Sequence, residues 1–275
     1  MAPSFEIRSS VTDTAAADLF VQMGMHGMAY VVINNDGACM ALGTYPFPAG
    51  SNAEAGAAYL KEIVSAQQLL QQPFRKMHIV YTYTSAVLVP HQYMKHELKK
   101  DMLELVHGDV NDGDIKADYM YRHHLYNVYS VPRQVEQAVG YLFAADNTTH
   151  LYSLLPDVLK DGGDALYCIF NGQHFTVMLL KESKLQLIQT FDFKTPEDVA
   201  YYLLHLCESF VLSPAEVRLH LNGMIAVSGN LYQEISKYFM HLQLGTLPGA
   251  FTYPKSMDEY PPHFFSHLFV LASCV

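Results

Sequence analysis

The stretch that decides the fold is DALYCIFNGQHFTVMLLKESKLQLIQTFDF, which runs from Asp164 to Phe193. It contains three apolar runs separated by two short polar breaks, the first of which is Asn171-Gly172. Asn-Gly between two apolar runs is a strong signal for a β-hairpin. Three strands joined by tight turns form an antiparallel meander, so this stretch predicts the first three strands of a sheet.

An earlier stretch repeats the pattern. DLFVQMGMHGMAYVVINNDGACMALGTYPF, residues 18–47, aligns with the first stretch without a gap, 146 residues earlier. The alignment places Asp18 on Asp164 and Thr44 on Thr190. Because a repeat of this length corresponds to a whole structural unit, the chain is predicted to contain an internal duplication.

The segments that follow each meander also correspond. The clearest is the helix after residue 193, where Thr195 is a suitable cap, Pro196 takes the first helical position, and Glu197 and Asp198 lie in the first turn. In each half we predict the order three strands, helix, buried strand, helix, short strand, closing helix, the closing helices being VPRQVEQAVGYLF and YPPHFFSHLFVLASC.

Strands separated by helices join a sheet in parallel through crossovers. The predicted fold class is therefore α/β, with two duplicated ribonuclease H-like domains, each a mixed five-stranded sheet with helices on its faces. This is the architecture of actin-like ATPases. We place the N-terminal domain at residues 1–145 and the C-terminal domain at residues 146–275.

The composition bounds the class of protein. Half of the 275 residues are apolar, which is enough for a sizeable core. The formal net charge is −10, and the 17 Lys and Arg are not clustered, which argues against binding to nucleic acid or an anionic membrane. We expect a cytoplasmic protein without a secretion signal or membrane insertion, whose four single cysteines are free thiols.

Two motifs carry a resemblance to a known family: SAVLVPHQY at residues 85–93 and YPPHFFSHLFVLASC at residues 260–274. Together with the length and the duplication, they make the chain similar, over essentially its whole length, to an uncharacterised bacterial family with an actin-like ATPase fold. The resemblance implies that fold and an unknown function. A more distant likeness, to actin-like proteins of pilus and secretion assembly, rests on the fold alone.

A nucleotide site in such a fold needs Gly- and hydroxyl-rich turns whose backbone N–H groups bind phosphate, and an Asp that holds the metal. The candidate residues here are Gly24, Gly27, Asn171, Gly172, Gln173, Ser228, Gly229 and Asn230. Neither hairpin turn has a carboxylate, so Mg-dependent hydrolysis is disfavoured and Asn171-Gly172 is interpreted as a plain turn. Ser228 and Asn230 fit a helix cap equally well.

Two further groups have metal-ligand character. His263 and His267 are four apart on a predicted helix, a spacing compatible with zinc, but no third ligand is indicated. The acidic segment HGDVNDGDIKADY, residues 107–119, is similar to a calcium loop, but Met120 stands where an EF-hand requires Glu. We interpret the histidines as scattered or core residues and the acidic segment as a solvated turn, and we predict no metal site and no catalytic residue.

These observations favour a catalytically inactive actin-like module that binds or assembles with an unknown protein partner, through the interdomain cleft or a surface. The alternative is an atypical nucleotide-binding ATPase or kinase of the same superfamily, with ATP as the cofactor to consider. A small-ligand sensor that uses the cleft without a metal is a third hypothesis, and the residues do not separate it from the other two.

Overall fold

The computed structural model describes residues 1–9, 13–143, 145–158 and 162–274. They form two compact units, one of residues 1–154 with 250–255 and one of residues 155–249 with 256–274. The predicted division into domains of residues 1–145 and 146–275 stays a prediction. Among the described residues, no helix is both long enough and apolar enough to cross a membrane.

The elements of the first unit, in chain order, are β1 Phe5–Arg8, β2 Ala17–Gly24, β3 Gly27–Asn34, β4 Cys39–Pro46, α1 Ala53–Ala66, β5 Lys76–Tyr81, β6 Ala86–Pro90, α2 Lys99–His107, β7 Gly113–Met120, β8 Leu125–Pro132, α3 Arg133–Leu142, β9 Asn147–His150 and α4 Leu151–Leu154. Six of these strands form one sheet in the order β1-β4-β3-β2-β5-β9. β2, β3 and β4 are the predicted antiparallel meander, while β5 and β9 are added in parallel.

The elements of the second unit are β10 Ala165–Asn171, β11 His174–Lys181, β12 Lys184–Asp192, α5 Pro196–Ser209, β13 Arg218–Gly223, α6 Asn230–Ser236, β14 His241–Leu244 and α7 Ser266–Ala272. Their sheet has the order β12-β11-β10-β13-β14, which repeats the order β4-β3-β2-β5-β9 of the first unit. α5 begins as predicted, because Thr195 and Asp198 form a reciprocal capping box and Pro196 follows the cap. The mixed sheet and its duplication are confirmed.

The first hairpins of the two units occupy equivalent places in their sheets, but they are one residue further apart in the sequence than the gapless alignment predicts. β2 and β3 close at the pair Gly24–Gly27, and β10 and β11 close at Asn171–His174, a spacing of 147 residues. The alignment was therefore wrong by one residue here, a shift that exchanges the two faces of a strand. β3 and β11 are buried on both faces, so their apolar runs look alike in either register.

A separate three-stranded antiparallel sheet is inserted between β5 and α3, with the order β6-β8-β7, and α2 packs on it. The prediction of a loop and a helix after β5 missed this sheet. β7 has the sequence GDIKADYM, carries three charged residues, and is only partly buried over its first six positions. Such a strand depends on pairing with its neighbour, which the local sequence does not encode.

The role of α3 was also predicted wrongly. It does not close the first half, because it is the crossover that leads to β9, and β9 pairs in parallel with β5. The sequence of β9 is NTTH, and its polar residues resemble a linker. A short strand at the edge of a sheet can be polar, since one of its sides faces solvent.

One carboxylate on β7 joins the inserted sheet to the end of β9. Asp118 Oδ2 accepts hydrogen bonds from Thr149 Oγ1 at 2.8 Å, the His150 N–H at 2.9 Å and Ser153 Oγ at 2.7 Å. Its Oδ1 accepts one from the Tyr129 hydroxyl at 3.1 Å. The interpretation of the whole acidic segment as a solvated turn was therefore wrong for this residue, whose role is structural.

Candidate functional site

The first candidate turn lies between β2 and β3, with Met25 and His26 as its two central residues. A side chain at Gly24 would collide with the hydroxyl of Thr82, and a Cβ at Gly27 would lie 2.6 Å from the carbonyl oxygen of Tyr45. Packing of the chain itself thus requires Gly27, whose neighbour is backbone, whereas the Thr82 side chain could rotate away from a Cβ at Gly24. The presence of these glycines does not by itself indicate a phosphate-binding site, and a phosphate-binding role for them stays a prediction.

The second candidate turn joins β10 and β11 and is a hairpin, as its Asn-Gly signal predicted. Asn171 is the last residue of β10, so the two central residues are Gly172 and Gln173. Gly172 has a φ of 62°, a left-handed conformation that glycine adopts without strain. A Cβ there would meet no atom within 4 Å, so the backbone conformation, and not close packing, accounts for this glycine.

The third candidate segment precedes α6. Gly229 is the N-cap of this helix, and no side-chain cap is formed within the described residues. The interpretation of Ser228 or Asn230 as a capping side chain was therefore wrong. The loop that carries Ser228 follows β13, and Met224 N–H donates to the Phe170 carbonyl oxygen at 2.8 Å. The second and third candidates thus lie at the same edge of the second sheet, where a ligand role for them stays a prediction.

The two histidines with zinc-compatible spacing do not share a helix. His263 lies in the short 3₁₀ turn Pro262–Phe264, whereas His267 lies in α7. His263 Nε2 is 2.7 Å from the Ile225 carbonyl oxygen, and burial lowers the pKa of His267 to about 4. Across the described ranges, no group of three or more His, Cys, Asp or Glu is arranged to hold a metal ion. The two side chains belong to the core.

An open pocket of about 520 Å³ lies at the end of the first sheet, and all its lining residues belong to the first unit. They come from the β2–β3 turn, the start of α1, the segment after β5, the acidic loop and the β8–α3 junction: Met25, Asn52, Ala53, Glu54, Tyr83, Thr84, Ser85, Asp109, Val110, Asn111, Asp112, Gly113, Ser130, Pro132 and Gln134. Three carboxylates line this pocket, whereas no Lys or Arg is found among its described lining residues.

Two buried tyrosines near the end of β5 differ in their hydrogen bonding. Tyr81 is fully buried, and its hydroxyl donates to Glu136 Oε2 at 2.6 Å, so burial and this carboxylate raise its pKa. Tyr83 is 5% exposed and lines the pocket, and burial alone raises its pKa. Within the described part of the chain, the Tyr83 hydroxyl has no hydrogen-bond partner.

The inserted sheet carries a feature that the sequence analysis missed, a cluster of aromatic rings on its surface. We call it the aromatic face, and it consists of His91, His96, Tyr119, Tyr121, His124 and Tyr126. Tyr119 and Tyr126 are opposite each other on β7 and β8, with ring centroids 4.8 Å apart. His91 stacks on Tyr126 at 5.7 Å, and Tyr121 lies edge-on to Tyr119 at 6.2 Å.

Three solved structures show the same fold. A protein of unknown function with an actin-like ATPase fold from Bacteroides thetaiotaomicron is 12% identical at a TM-score of 0.76, covering 94% of this chain and 96% of that one. A chain of the PilM-PilN type IV pilus biogenesis complex is 14% identical at a TM-score of 0.64, covering 96% and 99%. The ethanolamine utilization protein EutJ from Carboxydothermus hydrogenoformans is 9% identical at a TM-score of 0.54, covering 98% and 93%.

These likenesses confirm the predicted actin-like ATPase fold, and identities this low show the fold alone. A comparison with curated proteins found no match. The model of a family described as "Protein of unknown function (DUF3822)" matches residues 8–242, which is most of the chain. The resemblance found in the sequence is therefore confirmed, and the chain belongs to this DUF3822 family, whose function is unknown.

Proposed function

We propose that this chain is a catalytically inactive binding module that engages a protein partner through the aromatic face of its inserted sheet. The observation that carries the proposal is the exposure of that face. Tyr119 is 41% exposed and Tyr121 is 76% exposed, although each ring contacts other rings of the cluster. Clustered aromatic side chains at a surface are typical of protein interfaces.

The distribution of exposed apolar side chains supports an interaction site on the same inserted subdomain. Of the 13 large apolar side chains that are exposed among the described residues, six lie within residues 86–132, a stretch that makes up about a sixth of the chain. Scattered single apolar residues are normal on a protein surface, but a concentration on one small subdomain indicates an interaction site. The inserted sheet is also an addition to the five-stranded core that both units share.

The comparisons support a protein partner in general terms. One protein of the same fold was solved as part of a complex, the PilM-PilN type IV pilus biogenesis complex. The absence of a carboxylate in the hairpin turns at residues 24–27 and 171–174 supports the inactive character of the module. We place it in a bacterial cytoplasm, in agreement with three buried free thiols, Cys39, Cys168 and Cys207.

A photo-crosslinking experiment in cells of the source organism tests the proposal. p-Benzoyl-phenylalanine is placed at Tyr119 or Tyr121 of the aromatic face, and at Tyr141 or Tyr201 as matched exposed controls, which are 86% and 64% exposed. We expect one protein to be crosslinked from both positions of the face and from neither control.

The purified partner should then bind at least about tenfold more weakly to the Tyr119→Ser/Tyr121→Ser variant, since tyrosines that become buried at an interface are frequent hot spots. The Tyr141→Ser/Tyr201→Ser variant should bind like the wild type. The same crosslinks from all four positions, or equal affinity of both variants, would refute this surface.

A further inference from the structure

The pocket of the first unit has a charge that restricts what it can bind. Glu54, Asp109 and Asp112 contribute about −3 at neutral pH. The N-termini of α1 and α3 also face this region, and each contributes roughly half a positive charge. The sum stays near −2, so the electrostatic potential attracts cations and opposes a polyphosphate.

The basic residues on neighbouring elements do not cancel this charge. Lys100 on α2 donates to the Asn111 side chain and lies 3.4 Å from Glu104. Arg133 at the start of α3 lies 3.5 Å from Asp114. Each cation is thus already accompanied by a carboxylate outside the pocket. Of the three pocket carboxylates, Asp109 accepts one hydrogen bond, from the Asn111 N–H to Oδ1 at 2.9 Å, and its Oδ2 remains available to a ligand.

A second observation, independent of the charge, points to a ligand. Tyr83 is 5% exposed, and its hydroxyl has no hydrogen-bond partner among the described residues, although it belongs to the pocket wall. The hydroxyl oxygen itself is reached by solvent in the open pocket, so a ligand that displaces this solvent must offer it a hydrogen bond. An N–H group of a ligand would do so.

We propose that this pocket is a binding site for an organic cation that carries an ammonium or guanidinium group. Its N–H groups would donate to Asp109 and Asp112, and one would donate to the Tyr83 hydroxyl oxygen. The tyrosine ring and the exposed Met25 would contact the apolar part of the ligand. A pocket of about 520 Å³ has the size of a small organic ligand rather than of a bare ion.

Two sources share this chemistry, a free amine and a basic side chain of a bound protein, and the experiment separates them. Spermidine and acetyl-arginine amide are titrated calorimetrically into the full chain at about 150 mM salt, which screens general attraction to a protein of charge −10. ATP with magnesium is titrated in parallel. Saturable one-to-one binding of spermidine alone would assign a free amine, and binding of the arginine derivative would assign a side chain.

Matched variants locate the binding. We expect Asp109→Asn/Asp112→Asn to weaken it at least about tenfold, and Tyr83→Phe to weaken it severalfold without lowering the melting temperature. Asp36→Asn/Glu208→Gln, which removes two exposed carboxylates elsewhere, should change nothing. No saturable binding of either cation, equal loss in both double variants, or binding of ATP with magnesium that is lost in the pocket variants would overturn the proposal. The aromatic face is not involved, so its own test is unaffected by either result.

Discussion

Tyr81 and Tyr83 form a natural pair for a stability experiment, because they are two residues apart and both buried, but only one hydroxyl is bonded. The perturbation is removal of that hydroxyl, Tyr81→Phe in one variant and Tyr83→Phe in the other. Tyr81 donates to the Glu136 carboxylate at 2.6 Å. The Tyr83 hydroxyl has no partner within the described residues.

The expected magnitudes differ in size and in sign. A hydrogen bond to a charged group contributes about 1.5–3 kcal/mol, so Tyr81→Phe should lower the free energy of unfolding by about that amount. Glu136 keeps its ion pair with Lys116, which prevents a larger loss. Tyr83→Phe removes an unpaired polar atom and leaves the ring, so its stability should be unchanged or higher by up to about 1 kcal/mol.

Urea unfolding followed by circular dichroism at pH 7 measures the difference, with thermal unfolding as a second method. At about 2–4 °C per kcal/mol, Tyr81→Phe should melt about 3–12 °C below the wild type, while Tyr83→Phe melts at or above it. Equal losses in the two variants would refute the assignment of hydrogen bonds. A loss of more than about 1 kcal/mol in Tyr83→Phe would show that its hydroxyl is bonded in the free protein.

Three further predictions concern packing, docking of the inserted sheet and pH. Gly27→Ala should lower the free energy of unfolding by about 1–3 kcal/mol, because its Cβ would lie 2.6 Å from a backbone carbonyl oxygen. Gly140→Ala in α3, whose Cβ would meet no atom within 4 Å, should raise it by about 0.5–1 kcal/mol, and urea unfolding measures both changes. Asp118→Asn should lower the free energy of unfolding by about 2 kcal/mol or more and increase protease cleavage within the inserted sheet. Unchanged cleavage would contradict the role of Asp118 in holding the inserted sheet against β9. Burial lowers the pKa of His150 from 6.5 to about 4. The stability that its neutral ring contributes is therefore complete above pH 6.5 and is lost as the pH falls toward 4. Between pH 7 and pH 5 the wild type should therefore lose about 2 kcal/mol more than His150→Gln, and parallel losses would contradict a neutral buried histidine.

The parts of the fold that the sequence predicted correctly have local physical causes. The hairpin after Asn171 depends on the conformational freedom of Gly172, and the start of α5 depends on groups within four residues, Thr195 to Asp198. The order of the main sheet follows from short turns and crossovers, which leave few topologies. The inserted sheet was missed because the charged strand β7 is stabilised by its pairing with β8 and by the hydrogen bonds of Asp118.

The candidate site shows the same division. The glycines of the first turn were predicted as candidate phosphate-binding residues, and that role stays a prediction. The atoms that lie against them belong to Thr82 and Tyr45, which no local pattern connects with Gly24 and Gly27. The pocket wall was not predicted, because Met25, Glu54 and Asp109 come from segments far apart in the chain. A run of Tyr and His between positions 119 and 126 was a signal for the aromatic face, but only pairing of β7 with β8 aligns the rings.

The sequence by itself determined the class of this protein. Apolar periodicity, turn residues and helix caps act over a few residues, and they are enough to predict a duplicated α/β fold. Tertiary structure alone decided which residues meet. Folding places Tyr83 and three carboxylates around one open pocket, and strand pairing arranges the aromatic face. These features depend on distances between residues remote in sequence, which only the folded chain defines.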